Sequence, residues 1–419
     1  MKTNLIRLSL LSSLLLPLAT LHASTEGDNL IGIGAGARTL GGTSVASPTD
    51  ATGAIADNPA GLGLLPTTKL SELDASVTDF LPHISAQVDG LTAHSASKNY
   101  PIPALALAGP ITNTDGALLW GLAVYGVSGL GVDYIGTSID TALAPTAFPL
   151  VAGSRTELKL GEIAPALAYR ISSEWSVGLA VDVDYGRLDL GDGGRHGFGV
   201  GVQPGVTFKP TDALTLGVSY VSAKPITYKN VTDFDGDGTL DKLKLASPQQ
   251  VKFGLGYELI PGRLHLSSEV SWVNWAGAAG YSDFGWQNTW NYAVGLDYAV
   301  IPGQLNLRVG YDFGNDPVKA ENGFNGAGAP GNVTSVQGKN VPNYYYQTFR
   351  IIGFPALVDQ HLSLGLEYHA TEHVAIDLGY THSFKNAITE SGTNLLGAPV
   401  TLSSSLSEDS IEVGVKYSF

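Results

Sequence analysis

The sequence predicts an all-β fold, a 14-stranded antiparallel transmembrane β-barrel with an N-terminal hatch inside the lumen. Three observations lead there. Hydrophobic residues make up 44% of the 419-residue chain and charged ones only 15%, against about 25% charged in a typical soluble domain. Beyond the amino terminus no run of roughly 20 apolar residues occurs, so helical spans are not expected. From residue 67 onward the chain reads as strand-length segments in which apolar and polar residues alternate. A barrel uses only every second residue for lipid and leaves no long apolar run.

Residues 1–23 read as a secretory signal peptide. Lys2 and Arg7 form a basic start, Leu8 to Leu18 an apolar run, and Leu21-His22-Ala23 a small-residue site before a cut at Ser24. Removing the segment takes the formal charge from −15 to −17, because it carries two basic residues and no acidic ones. An acidic chain of this kind is not expected to bind nucleic acid. There is no Cys, hence no disulfide framework and no thiolate metal site.

Residues 24–66 do not alternate. They are rich in Gly, Ala, Ser and Thr and close on Ile55-Ala56-Asp57-Asn58-Pro59-Ala60-Gly61-Leu62. Low side-chain bulk suits a segment packed inside something else, so this stretch is read as the hatch and residues 67–419 as the barrel.

Fourteen strands follow in order. Lys69 to Phe80 is the first and weakest, Tyr100 to Ile111 the second, and the glycine-containing Leu118 to Tyr134 the third. Glu157 to Ile171, Trp175 to Leu190, His196 to Lys209 and Leu214 to Lys229 come next. Gln249 to Ile260, Leu264 to Trp275, Trp290 to Val300 and Leu305 to Phe313 follow, then His361 to His369, Val374 to Phe384 and Pro399 to Phe419. Nearly all reach the ~9–11 residues that a tilted crossing needs, and an even count suits a bacterial barrel. Alternation is clearest late in the chain. Ile411, Val413, Val415, Tyr417 and Phe419 oppose Glu412, Gly414, Lys416 and Ser418, and Leu305, Leu307, Val309 and Tyr311 oppose Asn306, Arg308, Gly310 and Asp312. The apolar rows are assigned to lipid. The polar rows are assigned to the lumen, where Arg308, Lys416 and His369 are expected to be part of a solvated inner wall. Tyr257, Tyr298, Tyr368 and Tyr417 stand at strand ends, where an interfacial aromatic girdle belongs.

Connection lengths set the orientation. Ile260-Pro261-Gly262-Arg263-Leu264 and Ile301-Pro302-Gly303-Gln304-Leu305 are tight turns, whereas Leu81 to Asn99, Ile135 to Arg155, Asn230 to Ser247 and Asn315 to Gln360 are long. Short turns face the periplasm and long loops the exterior. The carboxyl terminus and the hatch entry then share the periplasmic side.

Among short motifs, His369-Ala370-Thr371-Glu372-His373 matches a zinc pattern but straddles a predicted turn, where its histidines do not converge. Gly32-Ile33-Gly34-Ala35-Gly36 lacks the spacing and the βαβ unit of a phosphate loop. No catalytic constellation is recognisable, so enzymatic activity is not expected. The run from Asp233 to Asp241 is more specific. Asp233, Asp235, Asp237 and Asp241 stand at positions one, three, five and nine with Gly238 at position six, as in a calcium loop, but Lys244 takes the place of the twelfth-position Glu. The run is either a calcium site stiffening an external loop or a solvated acidic tip. No other cofactor is expected.

With hatch and strands in place, the chain resembles the outer-membrane transporters of long-chain fatty acids and aromatic hydrocarbons, the FadL/TodX family. Asn58-Pro59-Ala60 resembles that family's hatch motif. Pro165 to Ile171 with Trp175 to Leu179 resembles its fourth and fifth strands, and Tyr417-Ser418-Phe419 its terminal aromatic signal, with Phe419 read by the barrel-assembly machinery. The resemblance implies an inward kink in the third strand that opens the wall sideways. Here it falls on Gly126-Val127-Ser128-Gly129-Leu130-Gly131, so Gly126, Gly129, Leu130 and Gly131 are the candidate lateral-gap residues, with Asn58-Pro59-Ala60 packed against them. The link from Gly191 to Arg195 is short where relatives with a surface capture groove carry insertions.

The function implied is passive outer-membrane transport of a hydrophobic small molecule through a plugged barrel with lateral exit, as a monomer among outer-membrane lipids. The alternative is a general porin for small polar solutes, which needs an open polar lumen. A porin conducts ions steadily and a plugged barrel barely.

Overall fold

The computed structural model describes residues 27–65, 71–140, 154–328, 332–357 and 359–419. The signal-peptide assignment at 1–23 lies outside these residues, as do 24–26 and 66 of the expected hatch and the start of the first expected strand.

Fourteen antiparallel strands close on themselves: β1 Glu72–Val88, β2 Tyr100–Pro110, β3 Leu118–Asp133, β4 Arg155–Arg170, β5 Trp175–Asp189, β6 Arg195–Thr211, β7 Leu214–Val221, β8 Gln250–Ile260, β9 Leu264–Val273, β10 Thr289–Ile301, β11 Leu305–Gly314, β12 Gln360–His369, β13 Val374–Thr393 and β14 Pro399–Ser418. Each pairs with its neighbours in the chain, and β14 returns to β1 in a continuous register from Glu72↔Ser418 to Val88↔Leu402. Closure is obligatory because each unpaired backbone group in hydrocarbon costs several kcal/mol. The expected rows face as assigned. Leu307, Val309, Ile411, Val413 and Val415 are exposed on the outer face, whereas Arg308, Asp312, Glu412 and Lys416 are buried inside. Tyr257, Tyr298, Tyr368 and Tyr417 are exposed beside the short turns.

Four segments depart from expectation. The first strand runs on past Phe80 to Val88 and then folds back as a short strand, Leu91–His94. The seventh leaves the wall at Val221. Its continuation, Lys224–Tyr228, turns into the lumen and pairs with Leu243–Ser247. There it lies over β6, where Gly197, Gly199 and Gly201 leave room for Ile226 and Lys224. The penultimate strand extends to Thr393 instead of Phe384. The long link after Asn315 is a structured cap: a hairpin, Val333–Val336 with Lys339–Pro342, leads into a helix, Asn343–Thr348, and a wide turn, Phe349–Gly353. Tyr344, Tyr345, Phe349, Ile351 and Ile352 are buried there with Trp275, Phe284 and Trp286.

Residues 27–65 sit inside the barrel. Helix α1, Ala35–Thr39, packs on β11–β14, and α2, Ala51–Asp57, on β1–β4. Asp50 caps α2 by accepting from the Gly53 amide at 2.7 Å. Small residues meet on both sides: Ala51, Ala54 and Ile55 pack on Ala104, Ala106, Ala123, Ala164 and Ala180. At the closest approach a Cβ on Gly310 would overlap the backbone of Gly41.

Arg308 and Lys416 are not solvated. The Arg308 guanidinium pairs with Asp297 at 2.8 Å and Asp377 at 2.7 Å, and with Glu367, which also pairs with Lys416. The hatch covers them, so the inner wall here is a dry ion network. His369 stays partly exposed and bonds Glu367 at 2.6 Å.

Candidate functional site

The wall opens between β2 and β3. Their ladder runs from Pro110↔Leu119 to Ala104↔Tyr125 and stops. Beyond it, Tyr100 to Pro103 pair with β1, and Gly126 to Asp133 pair with β4 through a bulge at Val127. A bulge inserts one residue, bends the strand and ends its pairing on the other side. Pro101 and Pro103 stand on the freed edge of β2, and proline is confined to such edges within sheets. On β3 the hatch supplies partners. The Leu30 amide donates to the Val127 carbonyl at 3.2 Å, the Gly129 amide donates to the Asp28 carbonyl at 3.4 Å, and Asn29 bridges Ser128.

A cavity of about 880 Å³ lies at this opening, lined by Phe80, Ile84, Pro103, Gly129, Leu130 and Leu160, among others. It reaches the outer face at Tyr185, which is exposed. Gly129 is exposed, and a Cβ there would meet only the Leu158 carbonyl at 3.6 Å. Gly131 has no such room, because a Cβ would overlap Thr156. A Cβ on Gly126 would overlap the side chain of Ile102 across the gap. Leu130 points inward and lines the cavity together with two smaller pockets.

One of these, the inner pocket of about 30 Å³, is walled by leucines and by Tyr281, Phe284, Trp286, Phe349 and Phe354. That volume is below the roughly 150 Å³ in which a dry cavity holds benzene, so a ligand enters only as side chains move apart. Asp28 lines this pocket and the second small one, and its carboxylate accepts a hydrogen bond from the Tyr281 hydroxyl. Burial pushes the Asp28 carboxyl up to about 6. Sequence reasoning missed Asp28, Tyr281 and Arg350. The available signals were the two prolines of the second strand and the aromatic run Tyr344-Tyr345-Tyr346 in a link too long for a bare loop.

Asn58-Pro59-Ala60, expected against the glycine segment of β3, is held by β5 and β6, and residues 28–30 meet that segment instead. Asn58 ends α2 with an extended backbone, as a residue before proline favours, and caps the following turn, Pro59–Gly63, by accepting from the Ala60 amide at 3.2 Å. Its amide donates to the Val45 carbonyl at 2.8 Å and the Val206 carbonyl at 3.1 Å. Pro59 and Ala60 lie against Gly178 and Gly205, where a Cβ would overlap them or Asn58. The motif therefore anchors the hatch to β5 and β6, and residues 28–30 hold it at the opening.

In the external loop, carboxylate oxygens of Asp233, Asp235 and Asp237 lie within 4.8 Å of one another. Asp233 accepts from the amides of Gly236 at 2.7 Å and Gly238 at 2.8 Å. The Lys339 ammonium, from the cap hairpin, pairs with Asp235 at 3.1 Å, Asp237 at 3.3 Å and Asp241 at 2.8 Å. Hydrogen bonds to Asp241 and Asp235 hold Lys339 above the ordinary lysine range. Asp241 thus serves Lys339 and the Phe234 amide. Phe419 is exposed on the lipid-facing row. Its amide donates to the Ser71 carbonyl at 3.0 Å, and its ring meets Tyr417 edge-on at 4.8 Å.

Residues 29–195 match the family described as Outer membrane protein transport protein (OMPP1/FadL/TodX). The fold is similar to the P. putida toluene transporter TodX (TM-score 0.65, 17% identity, covering 93% of this chain and 99% of that one). It is also similar to a Pseudomonas aeruginosa FadL homologue (0.68, 14%, 93% and 99%). The Ralstonia pickettii toluene transporter TbuX is a third such structure (0.60, 14%, 93% and 99%). No curated protein matches the chain in sequence.

Proposed function

We propose that this chain, which matches the OMPP1/FadL/TodX family over residues 29–195 and is similar in fold to TodX, is a passive channel for a hydrophobic small molecule, with exit sideways between β2 and β3. The single observation that carries this is the interrupted β2–β3 ladder beside a cavity of about 880 Å³. An apolar ligand gains about 0.8 kcal/mol per buried CH₂, and a lateral exit returns it to hydrocarbon without crossing water. The hatch and the cap fill the lumen, which is the opposite of what a porin needs. The ligand displaces Leu130 and passes Gly129 into the membrane. Movement is downhill, with no chemical step, and the chain is no enzyme in this reading. It works as a monomer among outer-membrane lipids, placed there by the barrel-assembly machinery through Phe419. For Asp233, Asp235 and Asp237, calcium is proposed as a counter-ion that competes with Lys339.

The test is Gly129→Trp. The site accepts a Cβ, so the barrel should assemble, and uptake of toluene and n-decane by cells at matched outer-membrane levels should fall at least tenfold. Uptake equal to the parent rules out the lateral exit. A parent that takes up neither compound rules out the transport reading.

A further inference from the structure

One carboxylate and one guanidinium line the inner pocket, those of Asp28 and Arg350. They are not equally available to a ligand. A guanidinium has five N–H donors and no acceptor, and all five of Arg350's are directed at the protein. Nε donates to the Phe284 carbonyl at 3.1 Å. Nη1 donates to Gln347 at 2.9 Å and Glu390 at 3.2 Å. Nη2 donates to the Lys319 carbonyl and faces Glu321 at 3.5 Å. Its charge is already balanced by Glu390, and it serves to staple the cap. Asp28 is the reverse case. It is buried, and its carboxylate accepts a hydrogen bond from the Tyr281 hydroxyl, with no cation among its partners. The second small pocket, which Asp28 also lines, holds another buried carboxylate, Glu408, together with Arg38 and His361, and both of these are already paired, Arg38 with Glu412 at 2.8 Å and His361 with Asp312 at 2.7 Å. Lys98, Lys159 and Arg187 lie at the lateral cavity, past Leu130. Lys159 and Arg187 are paired with Glu157.

A ligand carboxylate in the pocket would therefore meet an unpaired carboxylate and no available cation, at low dielectric, where like charges repel strongly. We propose that the channel selects uncharged hydrophobic ligands, hydrocarbons and neutral chains, over their carboxylates, and that Asp28 is the specificity-determining residue. This rests on the transport reading given above.

The probes are n-decanol and decanoate, which share a ten-carbon chain and differ in charge. Binding to the purified full-length mature barrel in detergent is followed at pH 8 by fluorescence of the tryptophans, of which Trp286 lines the pocket. Decanol should bind at least tenfold more tightly than decanoate. In Asp28→Asn that ratio should shrink at least threefold. In Tyr281→Phe, which keeps the charge and loses the hydrogen bond, the ratio should stay. Decanoate binding as tightly as decanol overturns the selectivity and leaves the transport reading intact. An equal change of ratio in both variants assigns the effect to packing and overturns the role of Asp28. Binding of neither probe overturns the selectivity and the transport reading together.

Discussion

The Asn58 side-chain amide donates to the Val206 carbonyl at 3.1 Å, tying the end of helix α2 to strand β6. Its second bond, to Val45, ties the same point to the hatch's own middle. One residue thus joins two hatch segments to the wall at β6.

Asn58→Ala should loosen the hatch without unfolding the barrel. It leaves the Val45 and Val206 carbonyls and the Ala60 amide without this partner in a buried place, at a cost of about 1–3 kcal/mol. Planar-bilayer conductance should rise above the parent's low level while heat-modifiability is kept. Unchanged conductance would mean that the bond is dispensable.

The carboxyl-terminal aromatic should matter for assembly more than for stability. Phe419 touches Tyr417 and bonds Ser71 through its backbone alone. Deleting it should reduce heat-modifiable barrel in the outer membrane several-fold. The protein that does assemble should unfold near the parent's temperature. Equal yields at modest expression argue against a recognition signal.

Calcium at the acidic loop should depend on Lys339. Titration calorimetry at millimolar calcium should give weak heat for the parent, stronger binding for Lys339→Gln and none for Asp235→Ala. The ammonium competes for Asp235 and Asp237, so removing it frees those oxygens. No heat from either the parent or Lys339→Gln excludes calcium here.

The hatch should hold less tightly as pH rises. Asp28 has its folded value raised from 3.8 to about 6, so between those values the folded state binds more protons than the unfolded one. Stability therefore falls as pH climbs from about 4 to about 6, by about 3 kcal/mol at most. The charged and titratable groups that share a pocket with Asp28 are Arg350 in the inner one and Arg38, His361 and Glu408 in the second small one, and none of them is bonded to it. Hydrogen exchange at residues 27–31 should quicken across that window in the parent and not in Asp28→Asn. A slope kept in the variant would assign it to another group.

Much of this molecule was legible in its sequence, and for a physical reason. A barrel wall is built from local alternation, and side-chain direction along a strand has period two. Leu307 and Arg308, or Val415 and Lys416, therefore declare their faces without knowledge of the partner strand, and the tight turns at Pro261-Gly262 and Pro302-Gly303 declare orientation. The small residues of the hatch likewise announce a segment that must fit inside something.

What the tertiary structure alone decided is everything inside the wall. Which inward residue meets which hatch residue depends on closure, because only the closed barrel brings Glu412 to Arg38 and Gly310 to Gly41. Asn58 could be read as an anchor, but its partner on β6 lies 148 positions away, and no local pattern encodes that distance. Arg308 looked solvated because period two says inward and not whether the interior is wet. The hatch covering it decided that. Asp28 and Tyr281, 253 positions apart, meet only because the hatch and an external loop fill the same lumen. Strand direction is a property of neighbouring residues, whereas the filling of a closed space is a property of all of them together.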